Sequence, residues 1–436
     1  MRWIELQNVE YGECIVLCGK NSILMNDCGS MSQKLRRGDI SIDDCFENIA
    51  ARYEVYPDRY FLLSHYHRDH LSGFMKILQK YPGYFSRVLI PSAPCDASGR
   101  ALLLDFAIYA HIFLPYQTDC SQVNTSCVRI FKILSEKAGA ERIFTLQRGD
   151  RFRFDETDYE ILWPKPDNYP FDPELASAAE RLELLFASPY LSGPAAGFLR
   201  VKKRFTKLYL ECCRAFSISG RAVPETRREL LSSLLQAQEE LEALRESLAV
   251  TPQARDVQEI LASPLVLEAY TTGVNAASVV YHNVRTREAS FDDLLMTGDC
   301  TPETIAAIWE DLYDGYYVLK APHHGTASGY SSLFAELGIS HILISNGEYH
   351  AGGAVSEEYA AMQDSVKHCT GNLRCKWFTT SGSCCNRLTC CYDQRSGAGL
   401  VIRCPEARAN TKRIPGCGIQ SVHMGNSSSC LCDNPV

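Results

Sequence analysis

The chain reads as an α/β fold, and three observations carry that reading. Tyr60-Phe61-Leu62-Leu63 is short, apolar and aromatic, as a buried strand is, and Leu71-Ser72-Gly73-Phe74-Met75 starts a helix, so a strand-to-helix loop lies between them. Leu294-Leu295-Met296 and Tyr317-Val318-Leu319 are further short apolar runs, and each empties into polar residues, Thr297-Gly298-Asp299 and His323-His324-Gly325-Thr326. Residues 166 to 268 are instead helix-forming. There, Glu225 to Ala249 places Leu230, Leu231, Leu234, Leu235, Leu241 and Leu244 as an amphipathic stripe among Glu, Arg, Gln and Ala.

Taken in order, Val9 to Leu17 and Ser22 to Gly29 alternate and break like a hairpin. The loop after Leu63 holds His65, His67, Asp69 and His70 within Ser64-His65-Tyr66-His67-Arg68-Asp69-His70. On such a loop His65 and His67 can point to one side while Asp69 and His70 turn toward a second point, so one segment can serve two cations. Imidazole with carboxylate suits zinc, manganese or iron better than calcium. A merely solvated loop is the weaker explanation, because crowding imidazoles around an acid is costly without a metal. Ala107 to Leu114 is an apolar run.

His-x-His-x-Asp-His after an apolar strand resembles the signature of the metallo-β-lactamase fold superfamily. Asp27-Cys28-Gly29 is similar to the Asp-x-Gly that ends the family's opening strands, and Thr297-Gly298-Asp299 to its strand ending in Gly-Asp. Leu319-Lys320-Ala321-Pro322-His323-His324-Gly325 narrows the likeness to the metallo-β-lactamase domain of ComEC/Rec2-type competence proteins. Asn275-Ala276-Ala277-Ser278 resembles that group's Asn-x-x-Ser strand start, and Ile344 to His350 its next strand and polar loop. The likeness covers about residues 1 to 165 and 270 to 355.

The resemblance implies an αββα sandwich over residues 1 to 400, interrupted by a helical insertion at 166–268 and followed by a Cys-containing, loosely ordered tail at 401–436. It implies one or two Zn2+ or Mn2+ ions held by His65, His67, Asp69, His70, Asp299 and His324, with Asp299 bridging. Asp69 would also orient the attacking water, and Asp27 would brace the histidine loop. Asn275 stands near the place of a third site-one histidine, so the site built from Asp69, His70, Asp299 and His324 is expected to be the better formed. His111, His282 and His341 are alternative nitrogen donors, more simply read as ordinary histidines. Lys320, His323, Thr326, Ser328 and His350 are expected beside the ions, supporting the ligands or meeting the substrate.

The implied chemistry is hydrolysis by a metal-activated water. No Gly-x-Ser-x-Gly, P-loop lysine or Gly-x-Gly-x-x-Gly offers another nucleophile or cofactor. A phosphodiesterase or nuclease acting on nucleic acid or a nucleotide is the expected function. The alternatives are a small ester, lactone or amide hydrolase, or a degenerate metal-binding scaffold acting through its helical insertion.

Composition sets further bounds. With 436 residues, 46% hydrophobic and 22% charged, the chain suits a large core plus an insertion. A net charge of −8 argues against a protein that coats nucleic acid nonspecifically, although a local basic groove stays open. One candidate is Phe198 to Lys207, basic with interleaved aromatics, for which a solvated helix face is the simpler reading. The first residues lead directly into a strand with no cleavable signal, and no apolar run reaches the roughly 18 residues a membrane helix needs. A cytoplasmic enzyme without a membrane partner is therefore expected, with a homodimer or protein partner through the insertion left open.

Ten of the 20 cysteines follow His368: Cys369, Cys375, Cys384, Cys385, Cys390, Cys391, Cys404, Cys417, Cys430 and Cys432. No Cys-x-x-Cys occurs, so small apolar thiols on a strand pair are a plainer reading than a structural zinc.

Overall fold

A computed structural model describes residues 3–35, 40–114, 123–285, 293–347, 354–362, 365–370 and 399–403. His350 and the cysteines from Cys375 onward lie outside the described residues. The chain forms two compact units. The first comprises the described residues of Met1–Leu89, Arg151–Trp163 and Ser278–Val436, the second Ile90–Asp150 and Pro164–Ala277.

The fold is α/β with two mixed sheets. In the first, β1 (Trp3–Gln7), β2 (Gly12–Cys18) and β3 (Ser22–Ser30) are antiparallel neighbours. β4 (Asp58–Leu62) and β5 (Arg87–Pro91) continue from β3 in parallel. In the second, β7 (Arg151–Phe154), β8 (Thr157–Trp163), β9 (Val280–Asn283) and β10 (Leu294–Met296) are antiparallel in turn. β11 (Gly315–Lys320), β12 (Gly338–Ile344) and β13 (Val366–Cys369) then add in parallel. The strand numbered between these sheets, β6, is Ile143–Leu146 of the second unit. A last strand, β14 (Gly399–Arg403), pairs antiparallel with β1 and runs past the expected end of the domain at residue 400.

The parallel strands decide where chemistry can sit, because in open α/β sheets ligands gather at strand carboxyl ends. β4, β10, β11 and β12 deliver Ser64 to His67, Gly298 and Asp299, His323 and His324, and Ser345 and Asn346 in that way. Helices α1 (Ile42–Tyr53) and α2 (Arg68–Lys80) pack against β3. The apolar face of α2 buries Leu71, Phe74, Ile77 and Leu78, and Phe74 stacks on Phe61 of β4 with centroids 3.7 Å apart. Each such side chain contributes about 1.5–3 kcal/mol of burial free energy. This packing anchors the helix whose first turn carries Asp69 and His70.

The second unit is helical and draws in Ile90–Asp150 as well as the stretch expected from sequence. The physical reason is α3 (Leu102–Phe113), apolar on every side and buried along nearly its whole length. A helix of that kind needs cover all round. It receives it from α4 (Ser126–Lys137), α5 (Pro173–Leu184), α6 (Gly193–Phe216), α8 (Arg245–Ala249), α9 (Pro252–Leu261) and α10 (Pro264–Ala276). The expected amphipathic helix is α7 (Pro224–Ala243), which buries Leu231, Leu234 and Leu241 while Leu230 and Leu235 stay half-exposed.

The basic segment Phe198 to Lys207 lies on α6, with Phe198 and Phe205 in the core. Lys202 is buried against Asp105 at 2.9 Å, and Arg204 pairs with Glu240 at 2.7 Å. Both phenyl rings are withdrawn from solvent, while Lys203 and Lys207 stay exposed, so the segment offers no stacking array but keeps a solvated basic face. No helix among the described residues is long and apolar enough to cross a membrane.

Candidate metal centre

The loop after β4 is shaped by Asp27, which takes positive φ near the end of β3. Its Oδ1 accepts the Ser64 backbone N–H at 2.7 Å, and its Oδ2 accepts the Ser64 hydroxyl at 2.6 Å and faces His70 Nδ1 at 2.8 Å. Gly29 lets β3 approach so closely that a Cβ there would lie 2.6 Å from the backbone of Arg68, Asp69 and His70. Asp27 therefore braces the histidine loop. Opposite, Gly298 has positive φ and sits where a Cβ would meet Ser64 and Ser278 at 2.8 Å. His323, His324 and Gly325 all have positive φ, a costly conformation for two histidines that the surrounding contacts hold in place.

Hydrogen bonds aim the imidazoles. His324 Nδ1 meets the Ser345 carbonyl at 2.9 Å, and a carbonyl only accepts, so the proton is on Nδ1 and Nε2 faces the centre. Asp27 does the same for His70. His65 Nδ1 lies 2.9 Å from Ser64 Oγ and 3.3 Å from Ser278 Oγ, which again leaves Nε2 turned inward. Asn346 Nδ2 donates to the His324 carbonyl at 2.8 Å and steadies the strained turn.

Two atoms bound to one cation at about 2.0–2.1 Å, at tetrahedral or octahedral angles, lie roughly 2.9–3.4 Å apart. Four contacts fall in that window. His65 Nε2 to His67 Nδ1, His70 Nε2 to Asp299 Oδ2 and His324 Nε2 to Asp69 Oδ2 are each 3.1 Å, and His324 Nε2 to Asp299 Oδ2 is 3.4 Å. His65 Nε2 is 4.0 Å from the same Asp299 oxygen. Ligand atoms of His65, His70 and Asp299, and of Asp69, His70 and His324, lie within 4.8 Å of one another. Such buried groups of His, Asp and Glu could hold a metal ion, and the donor set of imidazole and carboxylate fits a transition-metal dication.

The field is strongly negative. Burial would lower His70 and His324, yet Asp299 and the nearby Asp27 or Asp69 carboxylates outweigh it and raise both imidazoles. Burial would raise Asp69 and Asp299, but the same histidines, joined at Asp299 by Lys320, hold both carboxyls below the usual range. His67 is pushed down to about 4 by burial against the opposing pull of Asp69, and His65 lies well below its ordinary value through burial and the adjacent His70 and His67.

Other expected residues fall into three groups. Lys320 is completely buried, so it supports Asp299 and does not meet substrate. Its Nζ reaches Asp299 Oδ1 at 3.2 Å and Glu13 Oε2 at 2.7 Å. Ser328 is exposed, with Oγ 2.9 Å from His323 Nδ1 and 3.1 Å from Thr326 Oγ1, a hydroxyl-imidazole cluster beside His324. Asn275 is not at a strand start: α10 runs on to Ala276, and the residue belongs to the second unit, its amide oxygen buried without a hydrogen-bond partner among the described residues. Ser278 of the same motif reaches His65 and accepts the Asp299 backbone N–H at 3.0 Å.

His111, His282 and His341 have partners of their own in Thr125, Tyr316 and His368. Sequence reasoning missed Glu13, Ser64 and Ser345. None had a sequence signal; Glu13 sits where the β2–β3 register shifts between Glu13 and Ile15, an irregularity seen only in the fold.

No protein-family model matches the chain, and no curated protein gives a significant match.

Proposed function

We propose that the protein is a metal-dependent hydrolase of the metallo-β-lactamase type, αββα in architecture, that cleaves phosphodiesters of nucleic acid or nucleotides. One observation carries the reading. Asp299 Oδ2 faces His70 Nε2 and His324 Nε2 at cation-ligand spacing, and His65 and His67 form a second pair at 3.1 Å. On this reading Asp69, His70, Asp299 and His324 hold one cation, and His65 and His67 begin a second site toward Asp299. Zn2+ or Mn2+ bound there would supply Lewis acidity, polarising a phosphoryl oxygen and acidifying water near neutral pH.

The chain's own groups supply the remaining steps. Asp69 is 13% exposed where Asp299 is 2%, so it is the carboxylate best placed to accept a proton from an incoming water. Thr326 Oγ1 donates to the His323 carbonyl at 2.8 Å, so His323 Nε2 and the exposed Ser328 hydroxyl are the groups left to meet substrate oxygens. The Tyr11 ring, 4.9 Å from His324, would shield that imidazole from bulk water.

A second reading, a small ester, lactone or amide hydrolase, has its own support. Thr326 bridges to Val355, and the neighbouring cavity is lined by Glu357 and Glu358 with Ala327 and Ser356. An acidic wall disfavours a long polyanion. A panel of Zn2+- or Mn2+-loaded protein with single-stranded DNA, duplex DNA, RNA, cyclic nucleotides and a lactone separates the two. Phosphodiester turnover supports the first reading, and lactone turnover with no phosphodiester cleaved overturns it.

A further inference from the structure

Lys320 and Glu13 form a buried ion pair behind the candidate metal centre. The lysine is 0% exposed and the glutamate 1%. A protonated amine has three hydrogens to place. Lys320 Nζ donates to the Gly298 carbonyl at 2.5 Å and to Asp299 Oδ1 at 3.2 Å, and stands 2.7 Å from Glu13 Oε2 as an ion pair. The side chain is thereby fixed, and so is the carboxylate it holds. With Oδ1 engaged, Asp299 presents Oδ2 to His70, His324 and His65.

We propose that Lys320 and Glu13 are positioning residues: together they lock the rotation of the Asp299 carboxylate and so set how firmly the centre retains divalent cations. This inference rests on the metal-centre reading given above and adds two residues that the reading does not use as ligands, although Glu13 lies close enough to Asp299 and His324 to share a cation with them. The pair must act as a unit. Lys320 alone would be pulled onto Asp299 and would compete with a cation for its charge, and Glu13 alone would be an uncompensated buried carboxylate. Each partner restrains the other, leaving Asp299 oriented and still able to donate.

The test titrates Co2+ into the full chain, following the visible d–d absorption for affinity and ligand geometry and thermal unfolding of the cation-free protein for folding. Glu13→Gln keeps shape and removes one negative charge, so charge and geometry both predict weaker binding. The double variant Glu13→Gln/Lys320→Met removes one charge of each sign. The net charge is then that of the parent, and a loss of affinity reports orientation alone. We expect that variant to fold and to bind Co2+ about 10–100-fold more weakly, the range typical of lost support to a metal ligand, with an altered absorption band.

A folded double variant with parental affinity and spectrum overturns the inference while leaving the metal centre standing. If the double variant does not fold, Glu13→Gln decides by itself, and parental Co2+ affinity in that protein overturns the inference. A parent chain that takes up no Co2+ overturns the metal-centre reading itself, and the inference with it.

Discussion

Gly29→Ala should damage the centre without touching a ligand. The new Cβ would stand 2.6 Å from Arg68 O, the Asp69 carbonyl carbon and His70 N, whereas real Cβ contacts are essentially never under 3.0 Å. All three neighbours are backbone, so no side chain can swing aside. The histidine loop or β3 must therefore retreat by roughly 0.4 Å or more, and overpacking of this kind costs about 1–3 kcal/mol. The peptide that moves carries both Asp69 and His70, whose distances to His324 and Asp299 are 3.1 Å and match cation ligation. Displacement approaching 1 Å at a reacting centre costs on the order of 100-fold in rate. The assay pairs thermal unfolding with metal content after dialysis against Zn2+. Expected are a lower melting temperature and reduced retained metal. Parental values for both would refute the claim that this close approach fixes the loop.

Gly197→Ala is the matching control: a Cβ at this position inside α6 meets nothing within 4 Å, so helix propensity alone acts and stability should rise by about 0.5–1 kcal/mol in urea titration. Acidification should weaken the fold through two histidines remote from the ligands. His282 is pushed down to about 4 by burial and then Arg285, and His341 to about 3 by burial and then His368. Because both folded values lie below the unfolded value of about 6.5, the unfolded chain binds more protons. Stability present above pH 6.5 is therefore lost as pH falls toward 4 and 3, by up to about 1.4 kcal/mol per pH unit for each group. Urea midpoints between pH 7 and pH 5 measure this, and a His341→Leu variant that declines as steeply as the parent would remove that residue from the account. Asp69→Asn should cut kcat on any productive panel substrate at least 100-fold, the lower end for a lost proton acceptor, while its circular dichroism spectrum stays parental; retained turnover would assign proton transfer elsewhere.

What the sequence made legible depends on how local the physics is. His65, His67, Asp69 and His70 share one strand-to-helix loop, and no tertiary knowledge is needed to see that they converge. Asp299 and His324 were legible through the resemblance of Thr297-Gly298-Asp299 and His323-His324-Gly325 to a family's strand ends, and each does follow the carboxyl end of a strand. Glu13 was not, since its meaning comes from Lys320 on a different sheet and no spacing encodes that pairing. Ser64 and Ser278 carry hydroxyls too common in loops to stand out. Asn275 was misplaced because a motif was matched where helix formation prevailed: Val274-Asn275-Ala276 continues α10, and the strand begins only at Val280. The helical unit was legible in kind but not in extent, because the all-round burial of α3 is a demand on partners distant in sequence.

Charge gives the proposed centre its last constraint. Glu13, Asp27, Asp69 and Asp299 bring four carboxylates together, and Lys320 is the one permanent cation among the contacts described. Imidazoles whose Nε2 is engaged by a cation are neutral, so the set is three positive charges short, in surroundings where Asp27, Asp299 and Glu13 are all at most 2% exposed. A single dication leaves the centre negative and repels an anionic ester. Two dications turn it positive by one, and one anionic oxygen then restores neutrality. On the reading proposed here, affinity for a phosphodiester is a property of the doubly loaded centre. The weaker cation position, where His65 Nε2 stands 4.0 Å from Asp299, therefore governs whether such a substrate is held at all.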